Sequence, residues 1–381
     1  GGYMANKIYY LIHFDNKTNR NVTPSAITKG KYVASALASC SSEVEIVSLA
    51  YPTKDSQDEV YYQVSENVIC HLFKGKYSNN RIIRYLNHKL YDKKIRKYLK
   101  QNVKKDDIIV VYHSLANMKL VKYIKKNITD KIVYEVEEIY GDVINDEKAK
   151  IKELKAFKNA SSYIFSNDYL NSIINTKQLP YVTCYGTYEI PTLYKESFND
   201  NLIHCLYAGT LAQNKGALNA INVAKYLPNN YLIHILGFGS EKDIADIKNA
   251  VNEVNNSYGT TKVIYEGLKL NEEYLKFIQK CQIGLCTQNI DAAFNTTSFP
   301  SKILSYMSNG LEVVGVNIAA IKNSKVGQYI QFYNVPDEKE IANAILNINL
   351  NNKTNNVDVV KELDKEFKED LNSLSSSFTT S

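Results

Sequence analysis

Two predicted helix starts carry a lysine where a carboxylate is the usual stabiliser. In AGTLAQNKGALNAI (208–221) a strand ends at Gly209, and a helix with Leu218, Ile221 and Ala224 on one face begins near Gly216, with Lys215 at its entrance. In TTSFPSKILSYMSNGLEVVG (296–315) Pro300 fits a first helical turn, and Ile303, Leu304 and Met307 form the inner stripe. Asn309-Gly310 end that helix, and Lys302 stands at its start. Neither start has the acid that a helix N-terminus favours. Backbone N–H groups, a close-approach glycine and an adjacent cation make an anion site, and the phosphate of a nucleotide is the anion that suits it. One such lysine is as well explained by a long side chain reaching solvent. Two of them, each following a strand of one series, point to convergence on a single diphosphate.

Between them lies HILGFGSEKD (234–243), where Gly237, Phe238 and Gly239 form a GxG without the third glycine, because position 242 is lysine. These glycines permit close approach of a flat base or sugar, whereas the incomplete motif argues against a nicotinamide enzyme. Ser240 followed by Asp243 also reads as an ordinary helix cap. His113, at the end of DIIVVYH, is a further candidate site residue, although a lone histidine at a strand end is commonly structural.

The elements that must position these residues alternate. Short runs rich in Val, Ile and Tyr (7–14, 44–51, 107–113, 131–137, 162–167, 180–186) are separated by helical patterns. A second series (202–209, 231–239, 262–267, 282–288, 311–317) follows a polar, aperiodic segment at 187–201 that contains Pro191. This is the pattern of an α/β chain with two doubly wound, Rossmann-like sheets, whose carboxyl ends are expected to face a ligand cleft. The boundaries expected are 1–190 for the first domain, 200–356 for the second, and a helix and tail at 357–381 packing back on the first. A chain of 381 residues suits two cores of ordinary size.

Composition narrows the class. Hydrophobic content of 44% and charged content of 23% are near globular averages, and no apolar run approaches a membrane span. GGYM reads as a tag remnant and KIYYLIHF as a buried strand, so a cytoplasmic protein is expected. The six cysteines are scattered without a CxxC pair, and the histidines are isolated in sequence, so reduced thiols and no metal are expected. The net charge of +6 is uneven: 74–105 holds twelve Lys or Arg against Asp92 alone, interleaved with Ile82, Ile83, Leu86, Leu90, Ile95 and Leu99. That stretch suits an anionic membrane surface at the inner face or a polyanion, and equally a solvated helical face; nucleic acid is not the expected partner.

AGTLAQNKG, ILGFGSE, VIYEG and SFPSKILSYMSNGLEVVG, in that order and spacing, resemble the nucleotide-sugar domain of retaining GT-B glycosyltransferases of the group 1 family, over about 202–316. The resemblance implies an N-terminal acceptor domain and a C-terminal donor domain. Donor contacts would come from Gly209, Thr210, Lys215, Gly216, Gly237, Phe238, Gly239, Glu266, Gly267, Thr297, Ser298, Phe299, Pro300, Ser301, Lys302 and Ser305. Catalytic roles would fall to Lys215, Lys302, His113 and the pair Glu137 and Glu138, which follow KIVYEV where the family presents a histidine or acid. The chain departs from the family at Thr210, where relatives carry a phosphate-clamping arginine, and at Thr297 and Ser305, where they carry glutamates. The expected function is transfer of a sugar, with retention, from a nucleoside-diphosphate sugar to a glycan or lipid-linked acceptor in surface polysaccharide assembly, with no cofactor. The departures keep open a non-catalytic GT-B subunit that binds a partner transferase or its substrate. A two-domain epimerase would want more acids than the sequence offers.

Overall fold

A computed structural model describes residues 7–194, 196–212, 215–288 and 299–378. The chain divides into two compact units, 1–187 with 365–381, and 188–364. The long terminal helix Asn356–Ser377 begins in the second unit and ends in the first.

The first unit is built on eight strands: β1 (Ile8–Ile12), β2 (Val44–Ser48), β3 (Val60–Ser65), β4 (Val68–Leu72), β5 (Ile108–Tyr112), β6 (Ile132–Val136), β7 (Ser162–Phe165) and β8 (Tyr181–Thr183). Their order is β3-β4-β2-β1-β5-β6-β7-β8, parallel except for the antiparallel β3–β4 pair. The runs IYYLI, VEIVS and IVYEV are buried along their whole length, as strands covered by helices on both faces must be. The C-terminal helix closes this core: Phe367 stacks on Tyr32, and Leu371, Leu374 and Phe378 line a small apolar cavity with Ile8, Leu37 and Val133.

The β3–β4 hairpin is absent from the sequence reading. Its two-residue connection, Glu66-Asn67, places Asn67 at φ 58°, a conformation that asparagine tolerates better than most residues. The basic stretch forms the helix Arg81–Asn102, capped by the Asn80 side chain, which accepts from the N–H groups of Ile82 and Ile83. Only Tyr91, Ile95 and Leu99 of this helix are buried, so its apolar residues divide between two faces: these three turn to the core, and Ile82, Ile83, Leu86 and Leu90 lie exposed away from it.

The second unit carries six parallel strands: β9 (Ile203–Thr210), β10 (Tyr231–Phe238), β11 (Val263–Gly267), β12 (Ile283–Cys286), β13 (Glu312–Val316) and β14 (Ile330–Tyr333), in the order β11-β10-β9-β12-β13-β14. Succession runs outward in one direction from β9 and in the other from β12, so the sheet's switch point lies between them. Open α/β sheets bind ligands beyond the carboxyl ends of the strands at such a point. No helix among the described residues is long and apolar enough to cross a membrane.

Candidate functional site

β9 and β12 are in register only through Cys205–Ile283 and Leu206–Gly284. Beyond that the two strands are held by a side chain. The Tyr306 hydroxyl accepts from Ala208 N–H at 2.9 Å and lies 3.3 Å from the Leu285 carbonyl. Its ring covers Gly284 so closely that a Cβ there would sit 2.3 Å from Tyr306 Cγ. Tyr306 therefore pins the helix Lys302–Ser308 to the switch point and fixes where its first residue lies.

That residue is Lys302. Its half-buried side chain carries the ammonium over the Tyr207 ring, 4.1 Å from the centroid, and 3.3 Å from where a Cβ on Gly209 would stand. Tyr207 is fully buried, and its hydroxyl shares one proton between the carbonyls of Thr210 and Lys215, at 2.8 and 2.9 Å. One aromatic side chain thus braces the β9 loop by its rim and supports the cation by its face. Among the described residues the Lys302 ammonium has no carboxylate or hydrogen-bond acceptor. Burial pulls its pKa below the ordinary lysine value; nearby Cys286 opposes this, and Lys215 adds like-charge repulsion.

The Lys215 loop is fixed independently. Gly216 has φ 92°, and a Cβ on it would lie 1.9 Å from the Thr287 carbonyl, so a side chain is excluded by conformation and by space. Thr287 Oγ1 donates to the Gly216 carbonyl at 2.7 Å, tying this loop to the end of β12. The helices that follow Lys215 and precede β13 have no acid in their first turns. Gly209 and Thr210 end β9 beside Gly237 and Phe238, which end β10. A Cβ on Gly237 would fall 1.9 Å from the Gly209 carbonyl. Gly239 leads into the Ser240–Asp243 capping box, and Phe238 is exposed.

The remaining donor-side candidates are dispersed. Ser305 Oγ pairs with the Tyr274 hydroxyl at 3.3 Å, and Phe299, Pro300 and Ser301 lead into the helix that Lys302 begins. Thr297 and Ser298 lie outside the described residues. Glu266 accepts from His234 Nδ1 at 2.8 Å and ends a ladder in which His234 Nε2 meets His204 Nδ1 at 2.9 Å and His204 Nε2 meets Asp200 at 2.9 Å. Phe198 stacks on both imidazoles, so the segment joining the two strand series is anchored on the second sheet. Gly267 follows at φ 73°.

In the first unit, Glu137 follows β6 and receives Lys29 Nζ at 2.9 Å; Glu138 beside it is partly buried. Lys29 also reaches the Cys184 carbonyl at 3.2 Å. Burial works against the Lys29 charge, but Cys184, Glu137 and Glu135 outweigh it and hold the ammonium above its ordinary value. Glu135, one pleat deeper, accepts from Tyr10 at 2.6 Å, while its other oxygen is buried without a partner. Burial pushes the Glu135 carboxyl up to about 7; Lys29 opposes this, Glu137 reinforces it, and Tyr10 opposes it. His113 is enclosed. Its Nε2 lies 2.7 Å from Glu153, which also accepts the N–H groups of Tyr140 and Gly141, so the histidine orients a buried acid that caps a short helix.

Tyr207, Tyr306, Gly284 and Thr287 escaped the sequence reading. Tyr306 sits at a helical i, i+4 spacing from Lys302, and that was the signal available for it.

The architecture is that of the GT-B fold, two parallel-sheet Rossmann-like domains in one chain. It is similar to a trehalose-6-phosphate synthase, OtsA (TM-score 0.64, 12% identity, 98% of each chain), and to a structure described as trehalose-6-phosphate from E. coli bound with UDP-2-fluoro glucose (TM-score 0.63, 12% identity, 98% of each chain). A UDP-forming α,α-trehalose-phosphate synthase from Burkholderia vietnamiensis superposes at TM-score 0.63 with 10% identity, over 99% of this chain and 100% of that one. No protein-family model matches the sequence, and no curated protein matches it.

Proposed function

We propose that the protein is a glycosyltransferase whose second unit holds a nucleoside-diphosphate sugar. The observation that carries the reading is the Lys302 ammonium, held over Tyr207 beside Gly209 with Lys215 near enough to repel it and no counter-anion among the described residues. Held at a sheet's switch point with no acceptor among the described residues, the Lys302 ammonium is poorly satisfied until an anion arrives. A diphosphate would relieve its repulsion with Lys215 and gain charge-assisted hydrogen bonds. The E. coli neighbour binds UDP-2-fluoro glucose on the same fold, which supports a donor of that class.

In this reading Lys215 and Lys302 take the charge that grows on the departing diphosphate, the role that a metal ion or arginine would otherwise fill. Glu137, fixed by Lys29 at the carboxyl end of β6, would orient the acceptor hydroxyl. The acceptor is a glycan or lipid-linked hydroxyl, transfer proceeds with retention at the anomeric carbon, and the product enters surface polysaccharide or glycoconjugate assembly. Titration calorimetry with UDP, GDP and ADP, then with the corresponding sugars, tests the donor site. Binding of none of them would overturn the proposal.

A second reading is favoured by Ser305, which stands where relatives carry a glutamate and is engaged with Tyr274. Without that acid or the arginine, the chain would bind a partner transferase or its substrate. Donor hydrolysis across a panel of nucleotide sugars separates the two: turnover supports the transferase, and binding without turnover supports the non-catalytic subunit.

A further inference from the structure

The helix Arg81–Asn102 presents an outward face of unusual composition. In its first three turns Ile82, Ile83, Leu86 and Leu90 are exposed, Ile82 at 72% and Leu90 at 64%, with Tyr85 alongside at 58%. At 100° per residue, Ile82, Leu86 and Leu90 fall on one stripe, and its continuation is Lys93 and Lys97, flanked by Lys94 and Lys100. Arg81 and Lys89 rim the apolar half, and Asp92 is the single acid in the helix, engaged by the Tyr51 hydroxyl at 3.0 Å. The helix is fixed from behind by Tyr91, Ile95 and Leu99, so the exposed side chains do not owe their position to a frayed end. Five large apolar side chains grouped on one exposed helix exceed the scattered exposure of an ordinary surface.

We infer that this face docks the protein on an anionic lipid bilayer. The occupant must be apolar to take Ile82, Ile83, Leu86 and Leu90, and negatively charged to meet the lysines beyond them. The receiving surface must also accept a convex helix, not a ridge fitted to a groove. A bilayer carrying anionic headgroups meets all three requirements: apolar side chains enter the headgroup boundary, Tyr85 takes the interfacial level, and the lysines remain among the phosphates. A bare polyanion satisfies the lysines alone. A second copy would bring the same run of cations toward its own image. This surface belongs to the first unit, and the nucleotide chemistry is proposed for the second.

The test is co-sedimentation of the full chain with large unilamellar vesicles in 0.15 M salt. Wild type should bind vesicles of equal phosphatidylglycerol and phosphatidylcholine and should not bind phosphatidylcholine alone. The triple variant Ile82→Ser/Leu86→Ser/Leu90→Ser should bind at least tenfold more weakly. Lys93→Gln/Lys94→Gln/Lys97→Gln should lose about fivefold per lysine, on the order of a hundredfold in all. All six positions are exposed, and the one bond lost, from the Lys94 ammonium to the Lys74 carbonyl at 2.7 Å, is itself exposed, so circular dichroism and melting temperature should stay close to wild type for both variants. Absence of wild-type binding to the anionic vesicles overturns the proposal. So does full binding by the serine variant, which marks a purely ionic grip on polyanions, and so does a wild-type dimer in sedimentation velocity that the serine variant converts to monomer. Nucleotide affinity measured on the same samples should be unchanged, which keeps this result separate from the donor site.

Discussion

Replacing Glu135 by glutamine should remove a pH dependence of stability that a single carboxyl imposes on the first unit. The folded environment moves its pKa from an ordinary 4.5 to about 7, chiefly by burial. Between those values the folded chain binds a proton that the unfolded chain releases, so stability falls as pH rises through the window and is fully restored below it. The displacement corresponds to about 3 kcal/mol above pH 8. For a unit of this size that is a change in melting temperature on the order of 10 °C. Scanning calorimetry of wild type and Glu135→Gln from pH 4.5 to 8.5 isolates the effect as the difference between two curves. The variant should be no more stable than wild type at pH 4.5 and relatively more stable by about 3 kcal/mol at pH 8.5. Tyr10→Phe, which removes a hydrogen bond to the ionised form, should shift the midpoint of this dependence to higher pH. Parallel curves for wild type and Glu135→Gln would refute the argument.

The other predictions concern the second unit. Lys302→Met and Lys215→Met should each weaken nucleoside-diphosphate binding by roughly ten- to hundredfold, the range for losing a charged hydrogen-bond partner; unchanged affinity by calorimetry would dismiss the paired-lysine site. Gly284→Ala drives a Cβ into the Tyr306 ring and should destabilise the unit by about 1–3 kcal/mol in urea unfolding, whereas Tyr306→Phe should cost about 1–3 kcal/mol by leaving Ala208 N–H without its acceptor. The hydrogen bond from His234 holds Glu266 below the usual carboxylate range against the opposing effect of burial. Its stabilising contribution is therefore present above about pH 4.5 and lost as pH falls through the lowered value, and Glu266→Gln should flatten the acid limb of a stability profile.

Much of the architecture is legible in the sequence because parallel strands covered on both faces must be nearly continuous in apolar residues. IYYLI, IIVVY and IVYEV announce themselves by composition, and a lysine at a helix start without an acid is a local anomaly that any reader of the chain can find. Periodicity cannot say which side of a helix finds a partner. Ile82 and Ile95 carry the same side chain in the same helix, yet the first is exposed and the second buried, because they lie on different faces and only the face of Tyr91, Ile95 and Leu99 meets the core. His113 and Glu137 likewise both lie at or just beyond strand ends. Only the fold encloses the first behind Glu153 and leaves the second partly open beside Lys29. The sequence by itself determined two doubly wound sheets and the presence of Lys215 and Lys302. The tertiary structure decided where those cations stand, because the parting of β9 from β12, the Tyr306 hydroxyl between them and the Tyr207 ring beneath the ammonium are contacts among residues some 20 to 100 positions apart. Such contacts leave no local pattern in the chain; they exist only once the sheet has assembled.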